Sequence, residues 1–231
     1  MTIAYVLMSG GIDSTTALYE AIYYNQFVHA ISIDYGQRHK KEIEYAKWTC
    51  DREAILHEVI DLSSLMRQYG TMLTDPEVNI PAISYDEIKG VSPTYVPFRN
   101  GLLLSAVAAR IVQNLKKMGL ENEEDAAVLY WGAHAEDAQN WAYPDCTPEF
   151  SGAMANAIYI GTYRAVRLVT PFQYMKKSEI IQRGEAYGID WANTWSCYAG
   201  GEHHCGVCPT CRARQDAFRK AGVNDPTTYA A

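Results

Sequence analysis

An α/β fold, with an open, mostly parallel sheet carrying helices on both faces, is predicted by three features of this sequence. Strand and helix patterns alternate from the start of the chain, a glycine pair closes the first strand pattern, and 231 residues are ample for a full core. Strands that alternate with helices pair in parallel through right-handed crossovers. The length fits one large domain with a small appendage. The expected division is an α/β domain over residues 1–192 and a cysteine-rich appendage over 193–231, packed on it.

Each element follows from its own pattern. Ile3–Met8 is a short apolar run with β-branched members, a strand. Asp13–Asn25 has apolar residues at Ala17, Leu18, Ala21 and Ile22, the stripe of a helix. Val28–Tyr35 returns to strand character, Lys40–Asp51 reads as a helix with Ile43, Tyr45 and Ala46 on one side, and Ala54–Asp61 as a strand. From Ser63 to Phe98 the periodicity breaks, with Pro76, Pro81, Pro93 and Pro97. A loop of this length in a compact protein is usually functional or mobile. Gly101–Met118 is a strongly apolar helix, the acidic connector Glu121–Asp125 leads to a strand over Ala126–Ala133, and Thr147–Ile160 and Lys176–Tyr187 look helical. No internal repeat or low-complexity segment is evident.

The 20 basic and 27 acidic side chains leave a net charge of −7. That argues against a general nucleic-acid or membrane binder and for no stable nucleic-acid partner, with Tyr163–Arg167 and Lys176–Lys177 as the local basic stretches. No stretch reaches the ~20 apolar residues a membrane helix needs. The run Ile3–Met8 lacks a basic flank and is not expected to act as a signal peptide. The expected location is therefore the cytoplasm, where cysteines stay reduced and a tight cluster means metal or redox chemistry.

Met8-Ser9-Gly10-Gly11-Ile12-Asp13-Ser14-Thr15 sits between the first strand and the first helix. In an open parallel sheet anions bind there, at the carboxyl end of a strand near a switch in strand order. Glycines let a phosphate approach the backbone N–H groups, and the helix N-terminus adds unsatisfied donors. The string contains neither G-x-x-x-x-G-K-[ST] nor G-x-G-x-x-G, so it is neither a kinase-type P-loop nor a dinucleotide fingerprint. A Gly-Gly pair alone would be no more than a tight turn with a serine or aspartate cap.

Four of the six cysteines, Cys197, Cys205, Cys208 and Cys211, fall within fifteen residues. Four thiolates suit tetrahedral Zn(II), and two C-x2-C steps bring sulfurs from tight turns to one metal. A closed structural zinc site is expected, which would hold the appendage together. An iron–sulfur cluster and redox-active thiols are the alternatives, and His203 or His204 could replace one sulfur. Cys50 and Cys146 read as small buried hydrophobes.

The whole string Ser9-Gly10-Gly11-Ile12-Asp13-Ser14 resembles the S-G-G-x-D-S signature of the ATP pyrophosphatases, enzymes with the adenine nucleotide alpha-hydrolase-like fold. They hold the β,γ-pyrophosphate of ATP and release it while adenylating a substrate. Further strings narrow the resemblance: Asp34-Tyr35-Gly36-Gln37-Arg38-His39, Tyr143-Pro144-Asp145-Cys146, Pro148-Glu149-Phe150, and Trp195-Ser196-Cys197-Tyr198 with Arg212 and Arg214 closing the cluster. Together, from Ile3 to about Phe218, they are similar to the branch of that family that makes a nitrile from 7-carboxy-7-deazaguanine for queuosine biosynthesis. Two stretches depart from the branch's pattern. Val96-Pro97-Phe98-Arg99-Asn100 has phenylalanine where V-P-G-R-N is usual, and Ala135–Ala142 looks longer and altered.

The resemblance implies two adenylations, of the acid and then of its amide, with free ammonia as nitrogen donor, Mg²⁺ accompanying ATP, and no glutaminase. It implies ATP binding over Met8 to Leu18, which adds Thr16, Ala17 and Leu18 of the helix to the loop. Ile31–Ile33 would flank the adenine. Asp13, Ser14, Arg99 and Lys177 are the catalytic candidates, with Lys176 as the alternative to Lys177. Arg38 is a candidate for a phosphate or carboxylate contact, or like Lys176 a solvated helix-start residue; Asp145 and Glu149 are candidates for the guanine-like edge of the 7-deazaguanine carboxylate, or helix caps. His39 and His134 could move protons or be structural. Other ATP-pyrophosphatase ligases, a tRNA thiolase, and a non-catalytic nucleotide- or zinc-binding module are the rival readings. The tyrosine-rich surface, with 17 tyrosines in the chain, makes a homodimer an expectation.

Overall fold

A computed structural model of the chain describes residues 2–66, 70–75, 77–84, 87–134 and 136–230. Pro76, and Ala135 at the head of the altered 135–142 stretch, lie outside the described residues. Five parallel strands form one sheet in the order β3-β2-β1-β4-β5: β1 Ile3–Leu7, β2 Val28–Asp34, β3 Leu56–Asp61, β4 Ala127–Tyr130 and β5 Val166–Val169. The chain runs outward from β1 to β2 and β3, then returns to pair β4 on the other side of β1, with Ala4 opposite both Val28 and Val128. The strand order therefore reverses at the gap between β1 and β2 on one side and β4 on the other, where ligands bind in such sheets.

Successive β1 side chains point to opposite faces, and both faces are covered. Ile3 and Tyr5 join one core, which receives Leu103, Leu104, Val107 and Ile111 of α4 (Arg99–Lys117) and Ile158 of α5 (Pro148–Gly161). Ala4, Val6 and Met8 join the other. There they meet α1 (Ile12–Tyr24), α2 (Lys41–Arg52), α6 (Lys177–Ala186) and α7 (Pro209–Ala221), through Leu18, Cys50, Ile180 and Phe218. One further short helix, α3 (Ser63–Met66), opens the proline-rich stretch. Among the described residues no helix is long and apolar enough to cross a membrane.

Several boundaries differ from the sequence expectation for identifiable reasons. Helix α4 begins at Arg99, two residues before the apolar run, because Phe98 takes a left-handed conformation (φ 54°) and its carbonyl accepts the Leu102 N–H at 3.2 Å. Strand β4 stops at Tyr130, short of the expected Ala133. Beyond it Gly132 passes so close to α1 that an added Cβ would stand 2.9 Å from the carbonyl carbon of Asp13. Strand β5 and helix α7 were not among the expected elements. Helix α7 carries proline at its start and Gly222 in the left-handed conformation (φ 72°) past its end, the usual asymmetry of helix termini.

Arg214 of α7 is fully buried. Its guanidinium donates to the Thr194 hydroxyl at 2.8 Å and the Trp191 carbonyl at 3.0 Å, and pairs with Asp225 at 3.1 Å. A charge so placed must be paired and hydrogen-bonded, so it ties the cysteine-bearing segment, α7 and the last residues into one unit.

Candidate active site and metal centre

The loop after β1 and the loop after β4 converge at the reversal in strand order. Ser14, in the first turn of α1, organises the first of them. Its hydroxyl accepts the Ser9 N–H at 3.1 Å, lies 3.0 Å from the Ser9 hydroxyl and 3.3 Å from the Gly11 carbonyl. Gly10 has φ 76°, and an added Cβ would collide with the backbone of Glu42 and Ala46. The first glycine thus lets α2 lie directly against the loop. The Gly10 carbonyl accepts the Trp195 N–H at 2.8 Å, so the segment leading into the cysteines holds the loop from its other side.

Asp13 lies in the first turn of α1. Lys177 Nζ donates to its Oδ2 at 2.7 Å, and His134 Nε2 lies 3.6 Å from the same oxygen. His134, 1% exposed, also lies 3.3 Å from Asp137 Oδ2 and 3.4 Å from Lys177 Nζ. Burial alone would push the Asp13 carboxyl up, but the Lys177 ammonium and the His134 imidazole hold it well below the usual carboxylate range. Burial likewise disfavours charge on His134 and Lys177, yet Asp137 and Asp13 raise both above their ordinary values. The cluster is two carboxylates facing the Lys177 ammonium and the His134 imidazole. Its second Asp13 oxygen, Oδ1, is buried with no hydrogen-bond partner among the described residues.

On the opposite wall, Arg99 Nη1 lies 3.4 Å from the Tyr35 hydroxyl, with the guanidinium 5.7 Å from the ring centre. Asn100 follows at the N-terminus of α4. Its N–H donates to Asp145 Oδ2 at 3.0 Å, while Asp145 Oδ1 is buried without a partner among the described residues. Burial pushes the Asp145 carboxyl up. Between these walls lies a cavity of about 230 Å³ lined by Ser9, Asp13, Arg99, Trp131, Lys177 and Tyr198 among others.

The sequence candidates distribute unevenly around it. Met8, Ser9, Gly11, Ile12, Asp13, Ser14, Ile33, Arg99 and Lys177 line the cavity. Thr16 donates its hydroxyl to the Ile12 carbonyl inside α1, and Ala17 and Leu18 belong to the second core, so none of the three lines it. Thr15 is buried, with its hydroxyl unpartnered among the described residues. Arg38 is turned away and donates to the Val78 carbonyl at 2.6 Å. Glu149 is exposed in the first turn of α5, and Lys176 is exposed one residue before Lys177. Sequence reasoning did not single out Asp137, Tyr35 or Tyr198 as site residues. For Asp137 a signal existed: it follows β4, the partner of β1 at the reversal point. Cys146 also lines the cavity, but burial holds its thiol well above the ordinary value. Cys50 sits in the second core with its thiol pushed up to about 12, again by burial.

The four cysteine sulfurs of Cys197, Cys205, Cys208 and Cys211 all lie within 4.8 Å of one another, and Cys205 Sγ is 3.9 Å from Cys211 Sγ. Sulfurs about 2.3 Å from a central tetrahedral ion would stand about 3.8 Å apart, so the four fit one metal. His204 is engaged elsewhere: its Nε2 accepts the Ser196 N–H at 3.0 Å and its ring packs 4.2 Å from that of Trp195. Thr210 and Ala213 of α7, beside Cys208 and Cys211, line the cavity. The metal centre and the crevice therefore share a wall.

A family model described as Queuosine biosynthesis protein QueC matches residues 3–222. A 7-cyano-7-deazaguanine synthase from Caldicellulosiruptor bescii is 42% identical over 226 residues, covering 98% of this chain and 96% of that one. Another from Alteromonas mediterranea is 37% identical over 97% of each chain, and a third from Methanoregula boonei is 39% identical over 98% of each.

Proposed function

The chain belongs to the QueC family and has 7-cyano-7-deazaguanine synthase activity as an ATP-dependent ligase, and from this premise we propose how its residues divide the work. The Ser9–Ser14 loop and the N-terminus of α1 hold the β,γ-pyrophosphate of ATP through backbone N–H groups and the two serine hydroxyls. Ile33, at the end of β2, flanks the adenine. Lys177 exchanges its contact with Asp13 for the phosphates as charge builds on them, which is where a fixed cation contributes most. Asp13 Oδ1, lacking a partner, suits Mg²⁺ arriving with ATP, whose chemistry is neutralisation of the leaving pyrophosphate. Arg99 meets the carboxylate of the 7-deazaguanine acid, and Asp145 serves its base edge.

The reaction needs this because hydroxide is a poor leaving group. The acid attacks the α-phosphorus, pyrophosphate leaves, and ammonia displaces AMP to give the amide. The amide oxygen is then adenylated in the same site, and loss of AMP leaves the nitrile. Cys197, Cys205, Cys208 and Cys211 would hold a zinc ion with a structural part, since four thiolates would leave no position for water. The working unit is proposed to be a homodimer in the cytoplasm, with exposed rings such as Trp141 (68%), Tyr163 (87%) and Tyr174 (82%) available to a second copy.

The observation that carries this reading is the Asp13–Lys177 pair at the N-terminus of α1, at the reversal in strand order. Incubation with ATP, ammonium and 7-carboxy-7-deazaguanine, followed by mass spectrometry, tests it. AMP, pyrophosphate and the nitrile are expected. ADP and phosphate as the primary nucleotide products would count decisively against adenylation.

A further inference from the structure

His39 stands in the loop between β2 and α2, 3% exposed, and lines the same cavity as Asp13 and Arg99. Its Nε2 lies 3.3 Å from Glu42 Oε2. The other oxygen of that carboxylate accepts from Gln37 Nε2 at 2.9 Å. Gln37 is fixed in turn, since its Nε2 also donates to the Ile33 carbonyl at 3.1 Å and its Oε1 accepts the Tyr35 N–H at 2.8 Å. Glu42 is in the first turn of α2, where the helix N-terminus favours a negative charge.

A carboxylate can only accept, so the pairing with Glu42 puts the imidazole proton on Nε2 and the lone pair on Nδ1. That Nδ1 is buried and has no partner among the described residues. Buried histidines of purely structural use normally satisfy both ring nitrogens. Here Nε2 faces a carboxylate that Gln37 itself holds, while Nδ1 is buried without a partner among the described residues, the arrangement of a base, its orienter and a second support. Around the ring stand Glu42 from α2 and Tyr198 from the cysteine-bearing segment, whose ring centre is 5.2 Å away. The remaining charged groups of the cavity, Asp13, Arg99, Asp137 and Lys177, occupy its other walls.

We propose that His39 is the general base of nitrile formation, with Glu42 as its positioning residue. The inference rests on the adenylation reading above. In the adenylated amide the carbon bears O–AMP and a doubly bonded, protonated nitrogen. The first N–H proton leaves a cationic nitrogen and passes to water. The second is taken by Nδ1 as its electron pair forms the third carbon–nitrogen bond. The carbon–oxygen bond breaks in the same step, and AMP departs with that bonding pair. One nitrile, one AMP and two protons result, and the imidazolium, facing Glu42, returns its proton to solvent.

Two partial reactions separate this step from adenylation: pyrophosphate exchange into ATP driven by the acid without ammonia, and nitrile formation from the 7-carboxamide with ATP. In His39→Asn and His39→Gln, exchange should stay close to wild type. Nitrile formation should fall by about 10²–10⁴-fold, the usual contribution of a positioned base, and the rising limb of its pH profile should flatten. Glu42→Gln should lower kcat for the carboxamide with little change in KM, because the imidazole loses the carboxylate that orients it. Thermal melts establish that each variant is folded, and the glutamine variant serves if the asparagine one is not. Wild-type nitrile formation in both His39 variants overturns the proposal, as does loss of exchange in a folded variant, which would place His39 in nucleotide binding. Absence of exchange in the wild type would remove the adenylation reading and this inference with it.

Discussion

Lys177 Nζ sits 2.7 Å from the Asp13 carboxylate, joining the first turn of α6 to the first turn of α1 across 164 positions of sequence. Each helix presents its N-terminus to the crevice, and each residue neutralises the other. Replacing Lys177 by Met should lower AMP formation by about 10²–10³-fold, the usual cost of removing a preorganised charge donor. Asp13→Ala and Gly11→Val should abolish it while the fold persists. AMP release measured on folded variants decides the matter, and wild-type rates would refute the assignment.

The two glycines of the loop should respond differently. At Gly10, a methyl group meets the backbone of α2 and the residue needs φ 76°, so Gly10→Ala should cost more than about 1 kcal/mol of stability. At Gly11, φ is −85° and the nearest foreign atom to an added Cβ is the Trp195 carbonyl oxygen at 3.3 Å. Gly11→Ala asks that carbonyl to give by only a few tenths of an ångström and needs no left-handed backbone, so it should cost less than Gly10→Ala. Denaturant titration of the pair compares them directly.

Metal removal should reach the nucleotide loop. Elemental analysis is expected to give about one zinc per chain, and Cys208→Ser should lower both zinc content and melting temperature, because binding at such a site adds directly to folding free energy. Pyrophosphate exchange should fall with it, through the Trp195–Gly10 hydrogen bond and the wall made by Thr210 and Ala213. A brown protein carrying iron and labile sulfide would overturn the zinc assignment.

Acid stability should depend on the buried pair of Arg214 and Asp225. Burial pushes the Asp225 carboxyl up, but the Arg214 guanidinium and the Tyr229 hydroxyl, 2.5 Å from Oδ2, hold it below the usual range. A depressed folded pKa means that the stabilisation is complete above the ordinary carboxylate value of about 4 and is lost as pH falls below it. Asp225→Asn should cost about 3–5 kcal/mol at neutral pH, the usual effect of stranding a buried charge, and should flatten the acid limb of the melting curve. An unchanged acid midpoint in the variant would show that the pair is not the titrating element.

The first strand, its loop and the cysteine cluster were legible because each is written locally: an apolar run ending in glycines, and thiols at ligand spacing. Helix α7 was not. Its buried positions include Cys211, Arg214, Ala217 and Phe218, a helical spacing in which an arginine and a metal-spaced cysteine stand where an apolar stripe would. Strand β5 is four residues long and interrupted by Arg167, too short to signal a period. Arg38 and Glu149 show a different limit. Sequence nominates a charge but does not orient it, and the Val78 carbonyl took the first while solvent took the second. The Asp13–Lys177–His134 cluster depends on three loops meeting at one end of the sheet, which only the strand order determines.

The hydrogen bond between Gly10 and Trp195 also has a bearing on how the chain is made. Synthesis delivers the glycine loop among the earliest residues, yet its hydrogen-bond partner Trp195 emerges only in the last fifth of the chain, and contacts so distant in sequence form late. A growing chain therefore carries the glycine loop without this one contact for most of its elongation, with Ser14 and α2 as its early supports. The end of the chain thus reaches back to close on its beginning, and the glycine loop gains its last support only when the cysteine-bearing segment has followed.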